Sequence, residues 1–128
     1  MIAFMSAVAE PMSGEDANRT RLEELIGIVC RSTIRATDTI GRIGMHGFLC
    51  VAPDADAQGA QTIVSRVRST LEDPSTNTGC RTALLRLRAG YCAASSLPNA
   101  RFTAVDMLLR AVKWADEAAL GQTVGECI

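Results

Sequence analysis

Apolar and polar residues form blocks along the chain, and each block has the period of a strand or of a helix. Residues 2–9 are apolar without a break and Pro11 follows them, which predicts a buried strand that ends in a turn. From about Asp16 the apolar residues recur at spacings of three and four as far as Ile34, which predicts an amphipathic helix. The chain is therefore predicted to begin with a strand and a helix.

Two short apolar runs, 39–43 and 48–52, come next, and the segment between them begins and ends with glycine. This pattern predicts a β-hairpin. Aspartates at 54 and 56 follow, where one of them can cap a helix predicted over 57–71. The residues of this helix that we expect to face the core are Ala60, Ile63, Val64, Val67 and Leu71.

Residues 72–80 are rich in turn formers and predict a loop, and residues 82–94 then predict a strand. Apolar residues alternate with Arg86, Arg88 and Gly90 along this strand, which favours a half-exposed face of a sheet. A second loop is predicted over 95–99.

A final helix is predicted over 103–120, with Gly121 as its C-terminal cap. The residues of this helix that we expect to face the core are Val105, Leu108, Leu109, Val112 and either Trp114 or Ala115.

The predicted order is strand, helix, strand, strand, helix, strand, helix. A split βαβ unit with a central antiparallel hairpin is a ferredoxin-like βαββαβ core, so the fold class is α+β, with helices packed on an antiparallel sheet. At this length we expect residues 1–128 to form a single domain.

The charge balance excludes a protein that is drawn to nucleic acid or to a membrane by its overall field, because the net charge is −1. Nearly all the basic residues are arginines, and Lys113 is the single lysine. Arginine suits guanine edges and phosphates, although a GC-rich genome would also explain the bias.

The five cysteines are odd in number and lack metal-ligand spacing, so we expect reduced thiols in a cytoplasmic protein. The apolar start of the chain lacks the basic flank of a signal peptide and is too short to span a membrane.

One motif carries most of the functional information: Arg35-Ala-Thr-Asp38, five further residues, and then Gly44-Met45-His46-Gly47-Phe48. This spacing resembles that of the GGDEF family, the bacterial diguanylate cyclases, whose Gly-Gly-(Asp/Glu)-Glu-Phe signature makes cyclic di-GMP from GTP. In that family an RxxD motif upstream of the signature binds the product at an inhibitory site. The resemblance is strongest over 20–120, and it implies the same fold.

The signature itself is broken. Gly44 and Phe48 are kept, but Met45 replaces the second glycine, His46 the acidic third residue and Gly47 the glutamate. The family also needs an aspartate at the end of its first strand, and residues 1–9 contain no acidic residue. The resemblance therefore implies a domain that is not an enzyme, with no catalytic residue, no metal site and no cofactor.

The resemblance can be followed at two positions of the closing helix, and the histidine of the signature has a second explanation. In the closing helix, Val112 and Ala119 stand where the family usually has an aspartate and a lysine. His46 is also explained as an ordinary polar residue in a hairpin turn.

The resemblance implies that Arg35 and Asp38 are kept as an inhibitory-site motif, and Arg66 falls where the family often adds a second arginine, with Arg68 as its near neighbour. Arginine forks can meet guanine O6 and N7, and a carboxylate can accept from N1–H and the exocyclic amine. The alternative is a local ion pair between Arg35 and Asp38 at a helix end. Arg42 could touch phosphate or cover the sheet.

The expected function is a catalytically inactive signalling domain that binds cyclic di-GMP as a receptor. The alternative is a module for protein–protein interaction or dimerisation that binds no ligand, with another signalling protein or a second copy as its partner. Neither hypothesis involves a nucleic-acid polymer or a membrane.

Overall fold

The computed structural model describes residues 1–11, 37–43, 47–71, 85–96, 98 and 101–128. The helix predicted from Asp16 to Ile34, the loop at 72–80 and the start of the strand at 82–84 lie outside the described residues. The elements are, in chain order, β1 (Ile2–Pro11), β2 (Thr39–Ile43), β3 (Gly47–Pro53), α1 (Ala57–Leu71), β4 (Leu85–Ala94), α2 (Ala104–Glu117) and β5 (Thr123–Cys127).

The strands form one sheet in the order β2-β3-β1-β4-β5. The pairs β2–β3, β3–β1 and β1–β4 are antiparallel, and β5 adds to β4 in parallel. The predicted α+β class is confirmed, and β1 lies at the centre of the sheet. The prediction did not include β5, which forms an additional edge.

One face of the sheet packs against α1. Alternate residues of β1 (Ala3, Met5 and Ala7) are buried there, together with Leu87 and Ala89 of β4. The predicted inward residues of the helix are buried in the same cluster: Ala60, Ile63, Val64 and Val67. This α1-side core follows from the period of two along the strands and of 3.6 along the helix.

The other face packs against α2. Phe4 of β1 and Cys92 of β4 are buried under Met107 and Ala111 of the helix. Helices cover both faces of β4 over this length. The predicted half-exposed face is therefore found only at Arg86 and Arg88, which are partly exposed.

The predicted inward face of α2 is partly wrong. Val105 and Leu109 are 66% and 61% exposed, whereas Met107, Ala111 and Ala115 are buried. The contact at Gly90 explains the choice of alanines. A Cβ atom at Gly90 would meet the backbone of Ala115 and Ala111, so the helix lies directly on the strand and leaves no room for large side chains.

The helix ends follow ordinary capping chemistry. Asp56 caps α1 as predicted, since its carboxylate accepts from Gly59 N at 2.8 Å. Thr103 caps α2 in a capping box with Asp106. Gly121 does not cap α2, because that helix ends at Glu117; with φ of 82° it forms the turn that leads into β5.

Within the described part of the chain, Cys50 and Cys92 are buried and Cys127 is exposed. None of the described helices has the length and apolar character that a membrane span requires.

Candidate functional site

The hairpin β2–β3 carries the region of the broken signature. Gly44, Met45 and His46 lie outside the described residues. Gly47 is the first residue of β3, is buried, and pairs with Val8 of β1. Phe48 is 4% exposed and belongs to the α1-side core, so the aromatic end of the signature is a core residue.

The strand β1 is longer than predicted, since it extends to Pro11, and it therefore includes the acidic residue Glu10. Glu10 Oε1 lies 3.1 Å from Arg88 Nη2, and the two side chains are 39% and 28% exposed. This carboxylate is held by a guanidinium on the neighbouring strand.

A divalent metal bound to a triphosphate is usually held by one or two protein carboxylates, and among these residues only Glu10 carries one. Gly47 has no side chain, its partner Val8 is apolar, and Glu10 is engaged by Arg88. No group of three histidine, cysteine or acidic residues in the described ranges could hold a metal ion.

The closing helix does not supply the missing charges. Val112 is a partly buried residue of α2, and Ala119 lies beyond the end of that helix with its methyl group exposed. Neither side chain can bind metal or neutralise phosphate.

Of the residues predicted for the inhibitory site, the structure describes Asp38 and Arg66. Arg35 is outside the described residues. Asp38 is partly exposed and immediately precedes β2, whose Ile40 packs against the α1-side core. Arg66 is exposed on the outer surface of α1. Asp38 and Arg66 thus belong to two elements that border the same core.

Arg66 lies on a polar part of the outer surface of α1. The uncharged polar residues around the guanidinium all belong to this helix, namely Gln58, Gln61, Thr62, Ser65, Ser69 and Thr70. This surface combines one positive charge with several donors and acceptors, which suits an anionic ligand better than an apolar one.

The neighbouring Arg68 has a structural role. Its Nη2 donates to the carbonyl oxygens of Leu87 at 3.3 Å and of Gln122 at 2.8 Å. Arg68 therefore ties α1 to β4 and to the turn before β5. Of the two arginines that the sequence placed near this site, Arg66 is the one that faces solvent.

The structure also contains an ion pair that the sequence did not suggest. Arg110 of α2 donates from Nε and Nη2 to the two carboxylate oxygens of Glu126 on β5. Hydrogen bonding to Arg110 lowers the pKa of Glu126. The guanidinium also lies 4.5 Å from the centre of the Phe102 ring.

This ion pair fastens β5 to α2. Burial, followed by the charge of Glu126, raises the pKa of the nearby Cys92 thiol to about 11. A thiol with such a pKa is a poor nucleophile at neutral pH. The ion pair between Arg110 and Glu126 was missed from the sequence because β5, which carries Glu126, was not predicted.

No protein-family model matches this sequence, and no curated protein matches it. Solved structures do match. The GGDEF domain of YfiN from Pseudomonas aeruginosa superposes with a TM-score of 0.77 at 19% identity, over 98% of this chain and 82% of that one. An EAL/GGDEF domain protein from M. capsulatus gives 0.75 at 16% identity, over 97% and 83%.

A third similar structure is the GGDEF domain of DgcB from Caulobacter crescentus, solved in complex with cyclic di-GMP. Its TM-score is 0.72 at 14% identity, over 97% of this chain and 74% of that one. Identities this low establish the shape of the chain and leave its chemistry to be argued from its own residues. The chain has the fold of the GGDEF domains.

Proposed function

We propose that this chain is a catalytically inactive GGDEF-like domain that binds cyclic di-GMP through Arg35, Asp38 and Arg66 and acts as a receptor module in bacterial signalling. The observation that carries the proposal is the exposure of Arg66 on the polar surface of α1, while Arg68 beside it is used to hold the fold together. A solvent-facing guanidinium at this position is available to a ligand.

The loss of catalysis is supported by the pairing of Gly47 with Val8. These two positions on adjacent strands supply no carboxylate, and Glu10 is neutralised by Arg88. Without an available carboxylate to hold divalent metal, the triphosphate of GTP would lack the charge compensation that phosphoryl chemistry needs.

Binding would use different chemistry from catalysis. The guanidinium groups of Arg35 and Arg66 would donate to guanine O6 and N7 and to phosphate, and the Asp38 carboxylate would accept from the guanine Watson–Crick edge. Such a site needs no metal, so it can persist where the signature is lost. The DgcB domain that was solved with cyclic di-GMP shares this fold.

The proposal is tested by calorimetry with cyclic di-GMP on the wild-type chain and on Arg35→Ala, Asp38→Asn and Arg66→Ala. Each bidentate arginine contact is worth about 1–3 kcal/mol, so each arginine variant should weaken binding by about fivefold or more. Arg101→Ala removes an exposed arginine from the α2 side of the sheet and serves as the matched control, which should bind normally. If the wild-type chain releases no heat at high micromolar ligand, the receptor proposal is wrong.

Inactivity is tested separately. The chain is incubated with GTP and either magnesium or manganese, and the products are separated by chromatography. We expect no cyclic di-GMP to form. Detection of the dinucleotide would show that the broken signature still supports the reaction.

A further inference from the structure

Beside Arg66, the surface of α1 has a shallow notch at Gly59. Asp56, Gly59, Ile63 and Arg66 border this notch, and they follow one another at spacings of three and four, so they lie on one side of the helix. Gly59 has no side chain, so a flat ring can approach the backbone of the first turn closely. Ile63, which is 5% exposed, adds an apolar surface next to it. A flat surface beside a guanidinium suits a base that carries a phosphate.

The notch lies on the side of α1 that is turned towards β3 and β2. Arg68 donates to the carbonyl oxygen of Leu87, so its own side of the helix faces β4. Gly59 and Arg66 lie on the opposite side of the helix, and the strand order places β3 and β2 in that direction. The notch is therefore turned towards the part of the sheet at which Asp38 stands.

Two carboxylates stand at the end of the sheet where β3 leads into α1. Asp38 immediately precedes Thr39, which pairs with Val51 of β3, and Asp56 follows Val51 by five residues. Asp56 Oδ1 accepts from Gly59 N and so caps the helix. Within the described part of the chain no group donates to Asp56 Oδ2, and the side chain is exposed. One carboxylate oxygen of Asp56 is therefore accessible to a ligand.

Guanine chemistry gives a second carboxylate a use. The Watson–Crick edge of guanine presents two donors, N1–H and the exocyclic amine, and an ionised carboxylate accepts only, so the two are complementary. The same edge of adenine presents one donor and one acceptor, which an amide side chain matches and a carboxylate does not. Cyclic di-GMP contains two guanines, and the proposed function assigns a carboxylate, Asp38, to one of them.

We propose that Asp56 binds the Watson–Crick edge of the second guanine of cyclic di-GMP, with the base over Gly59 and a phosphate on Arg66. The assignment rests on the proposed function and adds a specificity-determining residue to it. The chain would select a cyclic dinucleotide with two guanines over one in which adenine replaces a guanine. Capping uses one oxygen of the Asp56 carboxylate, so the same side chain can serve both purposes.

The test is calorimetry of the full chain with cyclic di-GMP and with cyclic GMP–AMP, which differs from it in one base. The wild type should bind cyclic di-GMP more tightly by about fivefold or more, since the hybrid loses one matched base contact. Asp56→Asn keeps a good N-cap residue, so the fold is preserved, but it presents an amide to the base. This variant should lose the preference for cyclic di-GMP or reverse it.

Two further variants sharpen the comparison. Asp54→Asn is the matched control, because it removes the same charge from an exposed side chain two residues away, at a positive φ that asparagine tolerates. It should keep the wild-type preference. Gly59→Leu fills the notch with a good helix former and should weaken binding of cyclic di-GMP by about fivefold or more, the loss of one base contact. Circular dichroism of each variant checks that the helix is kept.

Failure of this assignment is distinguishable from failure of the proposed function. A wild-type chain that binds neither dinucleotide overturns both. If the wild type binds cyclic di-GMP and Arg66→Ala weakens that binding, the proposed function stands. In that case, equal affinity of the wild type for the two dinucleotides, an unchanged preference in Asp56→Asn, or an unaffected Gly59→Leu overturns the role of Asp56 alone.

Discussion

In Gly90→Ala, the added methyl group would enter space that the backbone of α2 already occupies. An ideal Cβ at Gly90 would lie 2.7 Å from the carbonyl carbon of Trp114 and closer still to Ala115 N and Ala111 O. Carbon atoms in ordinary contact are about 3.5–4.0 Å apart. The helix would have to move away from the strand by about 1 Å, since backbone atoms cannot rotate aside as a side chain can.

The displacement would be felt by the whole α2-side core. Met107, Ala111 and Ala115 are each no more than 1% exposed, and lifting the helix separates all of them from the sheet. Overpacking typically costs about 1–3 kcal/mol, and rigid neighbours place this case at the upper end, about 3 kcal/mol. That is a large part of the roughly 5–15 kcal/mol by which domains are stable.

The measurement is urea unfolding followed by circular dichroism, with Gly41→Ala as the matched control. Gly41 also lies in a strand, but no heavy atom lies within 4 Å of the Cβ that would be added there. The control should keep its free energy of unfolding or gain up to about 1 kcal/mol. If Gly90→Ala costs less than about 0.5 kcal/mol, α2 is not seated on this strand and the close-packing argument is wrong.

Three further predictions concern capping, pH and thiol reactivity. Thr103→Ala should lower the free energy of unfolding by about 1 kcal/mol in the same urea experiment, because it removes the capping box of α2, and an unchanged value would contradict the cap. Because Arg110 lowers the pKa of Glu126, this ion pair stabilises the fold at pH values above the ordinary pKa of a glutamate, and the stabilisation is lost as the pH falls through the lowered pKa. The melting temperature of Glu126→Gln should therefore depend less on acid pH than that of the wild type. Peptide mapping after limited alkylation at mildly alkaline pH should find the exposed Cys127 modified before the buried Cys92, whose pKa is raised to about 11, and equal labelling would refute that burial.

Much of the fold is readable from the sequence because long periodic segments dominate it. The helix over 57–71 and the strand 39–43 have the predicted bounds, since each has a clear period and a glycine or aspartate at its end. The strand β5 was missed because it is short and contains Gly125, which normally argues against a strand interior. That glycine leaves room for the ring of Tyr91, a reason that appears only once the two strands are paired.

The candidate site was likewise predictable from the sequence only in part. The apolar run 48–52 correctly placed Phe48 near the start of a strand, and the resemblance pointed to Arg66, which is exposed. The bond from Arg68 to Gln122 joins residues far apart in sequence, so no local pattern could show which of the two arginines is structural. The clamp of Arg35, Asp38 and Arg66 stays a prediction for calorimetry.

The orientation of α2 shows most clearly where periodicity stops being informative. The helix has two apolar stripes, one of alanines with Met107 and one that contains Val105 and Leu109, and an argument from hydrophobicity prefers the larger side chains for the core. The fold selects alanines at 111 and 115 because Gly90 lets the helix approach the strand to backbone contact there, while Met107 fills the core farther along the helix. Val105 and Leu109 are then left outside. The close approach at Gly90 and the exposure of these two large side chains are thus two consequences of one orientation of the helix.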